Sequence, residues 1–402
     1  MATRRRPHGP RSRRAGPHRN RSWTGPLAAL TLLTLVGAGL TSCSGAADDF
    51  VERDGRQFTV DGKPFRFVGF NLYDAAASDR YSCRPASRIP PEDLEDHFRW
   101  LHDHAGVTVV RFWAYQTYTD GGRDFSAVDR VVDAARATGI RLIPVLEDGP
   151  GDCSTGEPGV SLAEADGGTW FSQGYRKPYG SARISYRDYV RAITEHYSDE
   201  PVVMAWMLVN EAETPARDDQ GRSVLVSFAG DVAGLVHSVD PNHLVTLGTQ
   251  GNGAPGGSGA DFLAVYNQTD LDFVEVHDWA RYGSDTEAMP GAEADGSLPA
   301  VGSQTCRSTT APIACSFAIA AQIQKPLVVG EVGISASDAA GRGRRAELVR
   351  AKAQAAFDAG ASGYLVWHYG TGQTDGYDVV RSDDDLLFDV TRRLGSQVSG
   401  TS

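Results

Sequence analysis

The sequence predicts an α/β chain folded as a (β/α)8 TIM barrel, with an N-terminal β-hairpin and long loops at the C-terminal face of the barrel. Three observations carry that expectation: eight short apolar runs rich in Val, Ile, Leu and Phe, amphipathic segments alternating with them, and no Gly-rich phosphate loop after the first run, which disfavours a doubly wound open sheet. With 402 residues, 41% hydrophobic and 22% charged, the composition is that of a folded globular chain and excludes a disordered, collagen-like or multi-span membrane protein. The net charge of −12 argues against a general nucleic-acid binder.

Residues 1–42 hold eight arginines and no acidic residue, and all the arginines precede the apolar stretch from Leu27 to Leu40. A basic segment followed by a short apolar run is an export signal, and this run is shorter than the roughly 20 residues that span a bilayer. It ends in Leu40-Thr41-Ser42-Cys43, which resembles a bacterial lipobox; that resemblance implies cleavage before Cys43, lipidation of its thiol, and a protein either lipid-anchored on the outer face of the cell membrane or secreted. Arg4-Arg5 and Arg13-Arg14 lack the flanks of a good twin-arginine motif, so the export route stays open. Taking eight positive charges from a net −12 leaves −20 on the mature chain, which suits an uncharged ligand better than an anionic polymer.

Residues 43–56 read as a tether and 57–395 as one catalytic domain. Alternating apolar and polar residues from Gln57 to Phe70, around Asp61-Gly62, predict the hairpin. The eight strand candidates are Phe65 to Phe70, Val107 to Phe112, Arg141 to Leu146, Val202 to Leu208, Leu244 to Leu247, Phe273 to Val276, Pro326 to Val329 and Gly363 to Val366. Between them, Pro91-Glu92-Asp93 opens a helix whose Leu94, Phe98 and Leu101 share a face until Gly106 stops it. Further helices are expected over Ser126 to Thr138, Ser181 to Tyr197, Ser223 to Val239 and Arg344 to Ala359, with a frayed tail from Arg392.

Long loops follow the first strand (Tyr73 to Pro90), the third (Glu147 to Gly180) and the sixth (Asp278 to Cys315), and in a barrel these line the catalytic face. Cys83, Cys153, Cys306 and Cys315 all fall in them. Export favours two disulfides over a zinc site, which no CxxC or nearby His pair supports. Closeness in sequence pairs Cys306 with Cys315 and leaves Cys83 for Cys153.

The fourth run ends in Val209-Asn210-Glu211 and the seventh in Gly330-Glu331-Val332-Gly333, so each places a carboxylate at the top of a strand. Two carboxyls at about 5 to 5.5 Å can protonate a glycosidic oxygen and attack the sugar carbon. Here the chain resembles clan A of the glycoside hydrolases and, within it, glycoside hydrolase family 5, the cellulase and mannanase family, from Phe65-Arg66-Phe67-Val68-Gly69-Phe70-Asn71 to Val366-Trp367. Asn210-Glu211 and Lys325-Pro326-Leu327-Val328-Val329-Gly330-Glu331 are the most specific elements. The resemblance implies Glu211 as acid/base, Glu331 as nucleophile, Arg111 as the arginine supporting it, His277 as the sixth-strand histidine and Trp367 as the tryptophan beneath the reacting sugar. Asn71 and Leu244 to Gly248 look more like a mannanase than a cellulase. Two departures stand out: Glu147-Asp148-Gly149 replaces a third-strand histidine, and His277-Asp278-Trp279 replaces His-x-Tyr, whose tyrosine contacts the nucleophile.

The residue chemistry supports these roles. An arginine beside Glu331 should lower its pKa and hold it ionised. Glu211 must start protonated, and Asn210 can bind the sugar 2-hydroxyl, so the strand end must bend for neighbours to face one way. Trp367 offers a flat face for a pyranose ring; Trp113, Trp170, Phe171, Tyr175, Tyr179 and Trp279 offer further ones, with core packing equally open to each of these six. Glu147 and Asp148 suggest extra contacts to sugar hydroxyls, a loop cap or a cation. The expected ligand is β-linked polysaccharide or oligosaccharide, with β-1,4-mannan ahead of β-glucan, endo or exo action open, no cofactor, no nucleic acid and no membrane contact beyond the lipid. A non-catalytic sugar-binding lipoprotein is disfavoured because both carboxylates are present; an aldolase or metal-dependent hydrolase lacks a strand-end lysine or clustered ligands.

Overall fold

The computed structural model describes residues 49–400 apart from 154–155, 158, 280–286, 373–375 and 383; the signal segment and Cys43 lie outside them. Asp61 and Gly62, at φ 51° and 67°, turn β2 (Gln57–Val60) back onto β3 (Lys63–Phe65), as a two-residue hairpin requires. β1 (Val51–Asp54) adds antiparallel to β2, so the tether assigned to residues 43–56 is corrected at its end. The reason is burial: Val51 is enclosed, and Phe58 on β2 packs against Phe67 and Phe273 at the base of the barrel.

Eight parallel strands follow: β4 (Phe67–Asn71), β5 (Val109–Trp113), β6 (Arg141–Val145), β7 (Ala205–Met207), β8 (Leu244–Thr246), β9 (Val274–Trp279), β10 (Leu327–Gly333) and β11 (Gly363–Val366). They pair in the order β8-β7-β6-β5-β4-β11-β10-β9. Across the remaining seam, Asp272 N donates to Val245 O (2.7 Å), Thr246 Oγ1 to Phe273 O (2.9 Å) and His277 N to Gln250 O (3.1 Å), bringing β8 and β9 together. The barrel strands are buried on both faces almost throughout, which is why they read as continuous apolar runs and not as alternation.

Helices cover the outside. Gly106 closes Leu94–Ala105 in the left-handed region, and the hydroxyls of Ser185 and Ser223 cap Tyr186–His196 and Val224–Val239. The frayed tail is not found: Leu386–Val398 is a helix with Leu387, Thr391 and Leu394 buried at helical spacing, packed on Leu94–Ala105 and Ala339–Asp358. No helix among the described residues is long and apolar enough to cross a membrane.

Cys83 is bonded to Cys153, joining the loops after β4 and β6, and Cys306 of the short helix Gln304–Arg307 to Cys315 of the helix Ile313–Ile323. The chain-entropy relation gives about 4 kcal/mol for the first, which closes the longer loop, and about 3 kcal/mol for the second. Replacing Cys83 and Cys153 by Ser should therefore lower the melting temperature more than the same change at Cys306 and Cys315. It should also weaken substrate binding, because Cys153 N holds Asp148 (2.9 Å) and Cys153 O holds Tyr81 (3.0 Å) at the cleft. Equal melting of both double variants would refute this ranking.

Candidate active site

Asn210 and Glu211 lie just past β7, and the backbone there departs from strand geometry. Glu211 takes φ 47°, unusual for a residue with a side chain, and this bend turns two adjacent side chains toward one cleft. Its neighbours make room: a Cβ on Gly149 would lie 2.5 Å from Asn210 O, and one on Gly248 2.0 Å from Val209 O. On the far side, the register of β10 against β9 slips between Val329 and Glu331, a bulge that aims the Glu331 carboxylate inward.

Arg111, fully buried on β5, ties these parts together. Its Nη1 donates to Glu331 Oε1 and to Asn71 Oδ1, both at 2.7 Å, and its Nη2 to Asn210 Oδ1 at 2.7 Å. Its guanidinium lies 4.6 Å from the Trp113 ring centre. Glu331 Oε2 accepts from Trp279 Nε1 at 3.1 Å and stands 3.3 Å from His277 Nδ1. Glu211 Oε1 is 2.7 Å from the same Nδ1 and accepts from Gln250 Nε2 at 3.0 Å.

A cleft of 520 Å³ opens above this network, lined by Glu211, Glu331, Asn210 and Asp148, by the rings of Tyr73, Trp113, Trp279, Trp367 and Tyr377, and by Cys83, Arg84, Pro150, Asp152 and Cys153. Trp367 stacks on Tyr73 with ring centres 5.3 Å apart. A larger hollow of 1040 Å³ between Arg56, Arg66 and Phe357 opens at the opposite end of the barrel, beside Gly360 to Ser362, away from these carboxylates.

Burial pushes the Glu331 carboxyl up to about 7, against the lowering effects of His277 and Arg111. This corrects the expectation that Arg111 would hold it below the usual carboxylate range: desolvation at a fully enclosed site outweighs two cations. Burial alone would lower His277, but the nearby Glu275 and Glu331 carboxylates, with a hydrogen bond to Glu211, raise it to about 10. Asp148 is pushed up to about 6 by burial, opposed by Cys153 N and Asn210.

Glu211, His277 and Glu331 place one ligand atom each within 4.8 Å of one another, a group that could in principle hold a cation. Both nitrogens of His277 face carboxylates, Nδ1 toward Glu211 and Nε2 toward Glu275. Two carboxylates this close, one on an arginine fork and one at a bent strand end, are placed to act together on a single ligand in the cleft.

Comparison with known proteins points the same way. The profile of the family described as "GH family 5 beta-mannosidase-like" matches residues 179–366, which contain both carboxylates. Mannan endo-1,4-beta-mannosidase 1 of rice, Oryza sativa subsp. japonica, is 28% identical over 78% of this chain and 75% of its own length. Mannan endo-1,4-beta-mannosidase A of Hypocrea jecorina is 27% identical over 62% of this chain and 60% of its own. The chain is thus similar in sequence to mannan endo-1,4-beta-mannosidases. Two relatives from Arabidopsis thaliana, 30% identical, are spanned over only 62% of their length. In fold, the endo-1,4-beta-mannanase of Rhizomucor miehei superposes with a TM-score of 0.63 at 18% identity, over 88% of this chain and all of that one.

Within the barrel, the sequence-derived residues divide into two layers. Asn210, Glu211, Trp113, Trp279, Glu331 and Trp367 line the cleft. Arg111, His277 and Asn71 are fully buried beneath it, Arg111 and His277 against the carboxylates; Asn71 Nδ2 donates to Gly330 O (2.9 Å). Glu147 is also corrected: the pleat turns it under the cleft, where it accepts from Asp148 N (3.0 Å), and Asp148 lines the wall in its place. Asp148 accepts from Asn210 Nδ2 at 3.1 Å. Trp170, Phe171 and Tyr175 pack around Phe228 and are core. Gln250 and Glu275 escaped the sequence reading, although Glu275 lies two residues before His277, the spacing that puts both on one face of a strand.

Trp279 stands where the His-x-Tyr pattern has its tyrosine, and its indole N–H reaches Glu331. Gly333 permits this, since a Cβ there would lie 2.1 Å from the Trp279 ring. Trp279→Phe keeps the ring and removes the donor. We expect kcat to fall about 10- to 100-fold, the worth of a hydrogen bond to a charged group, with KM nearly unchanged. An unchanged kcat would show that the contact carries no catalysis.

Proposed function

We propose that this chain is a retaining β-glycoside hydrolase acting on β-1,4-linked mannan or its oligosaccharides. The observation that carries the reading is the pair of carboxylates with oxygens within 4.8 Å, each with its own set of donors. In the first step Glu331 attacks the sugar carbon as Glu211 protonates the departing oxygen, giving a glycosyl ester on Glu331. In the second, Glu211 takes a proton from water, which displaces Glu331 from the sugar and restores both groups. Asn210 is placed to hold the 2-hydroxyl, while Trp367 supplies a flat apolar face.

Exo action as a β-mannosidase is favoured by one feature: the Cys83–Cys153 bridge, with Arg84 and Asp152, forms a wall across a cleft of modest size. The deciding assay incubates the mature protein with mannan, glucomannan, cellulose, laminarin and aryl β-glycosides and follows product size. Mixed manno-oligosaccharides support the endo reading, and mannose alone from the first time point supports the exo one. Turnover of cellulose or laminarin without mannan would overturn the substrate, and binding without turnover of any of them would leave a sugar-binding protein. The lipobox resemblance further supports anchoring through a lipid on Cys43. Partition of the expressed protein into detergent, lost in Cys43→Ser, tests it; aqueous partition of both forms would refute it.

A further inference from the structure

Three alternate residues of β9 form a column leading down from the cleft: Trp279, His277 and Glu275. Glu275 lies at the bottom, fully buried, with Oε1 2.8 Å from His277 Nε2. The other ring nitrogen stands 2.7 Å from Glu211 and 3.3 Å from Glu331, so the imidazole is clamped between one deep carboxylate and two catalytic ones. The seat for Glu275 is built into the neighbouring strand. A Cβ on Gly330, at the β10 bulge, would lie 1.8 Å from Glu275 Oε1, so that position has to be glycine. The Thr249 and Tyr266 hydroxyls, at 3.1 and 3.3 Å, hold the Glu275 carbonyl.

The charged groups facing this column are Arg111 from β5, Glu211 from the end of β7 and Glu331 from β10, with the Tyr266 hydroxyl from the helix Gly259–Tyr266 behind it. Three carboxylates then face one arginine and one imidazolium. A buried cluster of this kind resists net charge. It is neutral when one carboxylate carries a proton, and that is the state a retaining glycosidase needs before attack: Glu331 ionised, Glu211 protonated. Without Glu275 the neutral state would have either both catalytic carboxylates ionised or a neutral histidine.

We propose that Glu275 is a positioning residue for the proton on the acid/base: its buried charge balances the His277 imidazolium, so the cluster reaches neutrality only with one proton on a catalytic carboxylate, the acid form that Glu211 needs. The inference rests on the retaining reading for its kinetic part and on geometry alone for the clamp. Glu275→Gln preserves shape and removes charge. In nitrogen-detected NMR, with His277 assigned from a His277→Gln sample, the wild-type ring should stay protonated to about pH 8 or beyond, above the ordinary histidine value of about 6.5. In Glu275→Gln it should lose its proton at least tenfold more readily. The base limb of kcat/KM should move to lower pH by about one unit with KM little changed, and Glu275→Asp should restore most of both shifts. A His277 titration unmoved in Glu275→Gln overturns the proposal, as does a moved titration with an unmoved limb. Should Glu275→Gln fail to fold, a neutral His277 ring in the wild type near pH 7 overturns it equally. A wild type inactive on every β-glycoside would sink the retaining reading, while the NMR titration would still decide the clamp.

Discussion

Glu331→Gln is expected to cut turnover of β-mannosides by a factor on the order of 10⁴ or more while the protein still melts cooperatively. The amide fills the same space but keeps one acceptor oxygen, so it accepts from Arg111 or from Trp279 and not from both, and it cannot form the glycosyl ester. Glu211→Gln should behave differently, because the acid is needed only as far as the leaving group is poor. With an alkoxide leaving group the loss should be about 10² to 10⁴-fold; with a nitrophenolate the first step should survive and the glycosyl ester should accumulate as a burst. Azide separates the two roles by stereochemistry. In Glu331→Ala it attacks from the vacated side and gives the inverted α-azide. In Glu211→Ala it attacks the glycosyl ester, which no longer has a base to activate water, and gives the β-azide. The opposite pairing of variants and products would exchange the roles assigned to the two residues.

The eight strands were legible because a strand buried on both faces leaves an uninterrupted apolar run, and seven of the eight ran into polar or aromatic residues that end at the cleft. The carboxylates were legible for the same reason: they stand where such runs stop. What escaped depended on the pleat and on local backbone. Glu147 and Asp148 are adjacent acids, and only the strand register shows that 148 faces the cleft and 147 the interior. Glu275 sits inside an apolar run, where an acid looks like an error in pattern until the β10 bulge and Gly330 are seen to make its seat. The aromatic residues of the third loop carry no signal separating platform from core, and it is Phe228, on a helix more than 50 residues away, that draws three of them inward. The direction of the Glu331 shift was missed because a neighbouring arginine is visible in sequence, whereas complete desolvation is a property of the closed barrel.

Arg111→Met should be the most destabilising single change at the site, by about 3 to 5 kcal/mol, with a melting temperature lower by about 5 to 10 °C. Met fills similar volume, so the loss is not a cavity effect: it leaves Glu331 buried without its guanidinium and Asn71 and Asn210 without their shared donor. The pH dependence follows from the sign of the Glu331 shift. Its folded pKa, raised to about 7 from an ordinary 4.5, means that proton binding favours the folded state fully at acid pH and that this contribution is lost as pH rises through about 7. Arg111 is one of the two cations opposing that shift, so its removal raises the pKa further. The deficit of Arg111→Met should then widen from acid toward neutral pH, where an ionised Glu331 must be buried with only His277 and Trp279 to stabilise it. In the same variant the acid limb of the rate profile should move to higher pH, because the nucleophile stays protonated longer. Thermal melts of wild type and variant at acid and neutral pH test the first part, and a deficit of equal size at both would show that Arg111 stabilises the barrel by packing on Trp113 and not by its charge on Glu331.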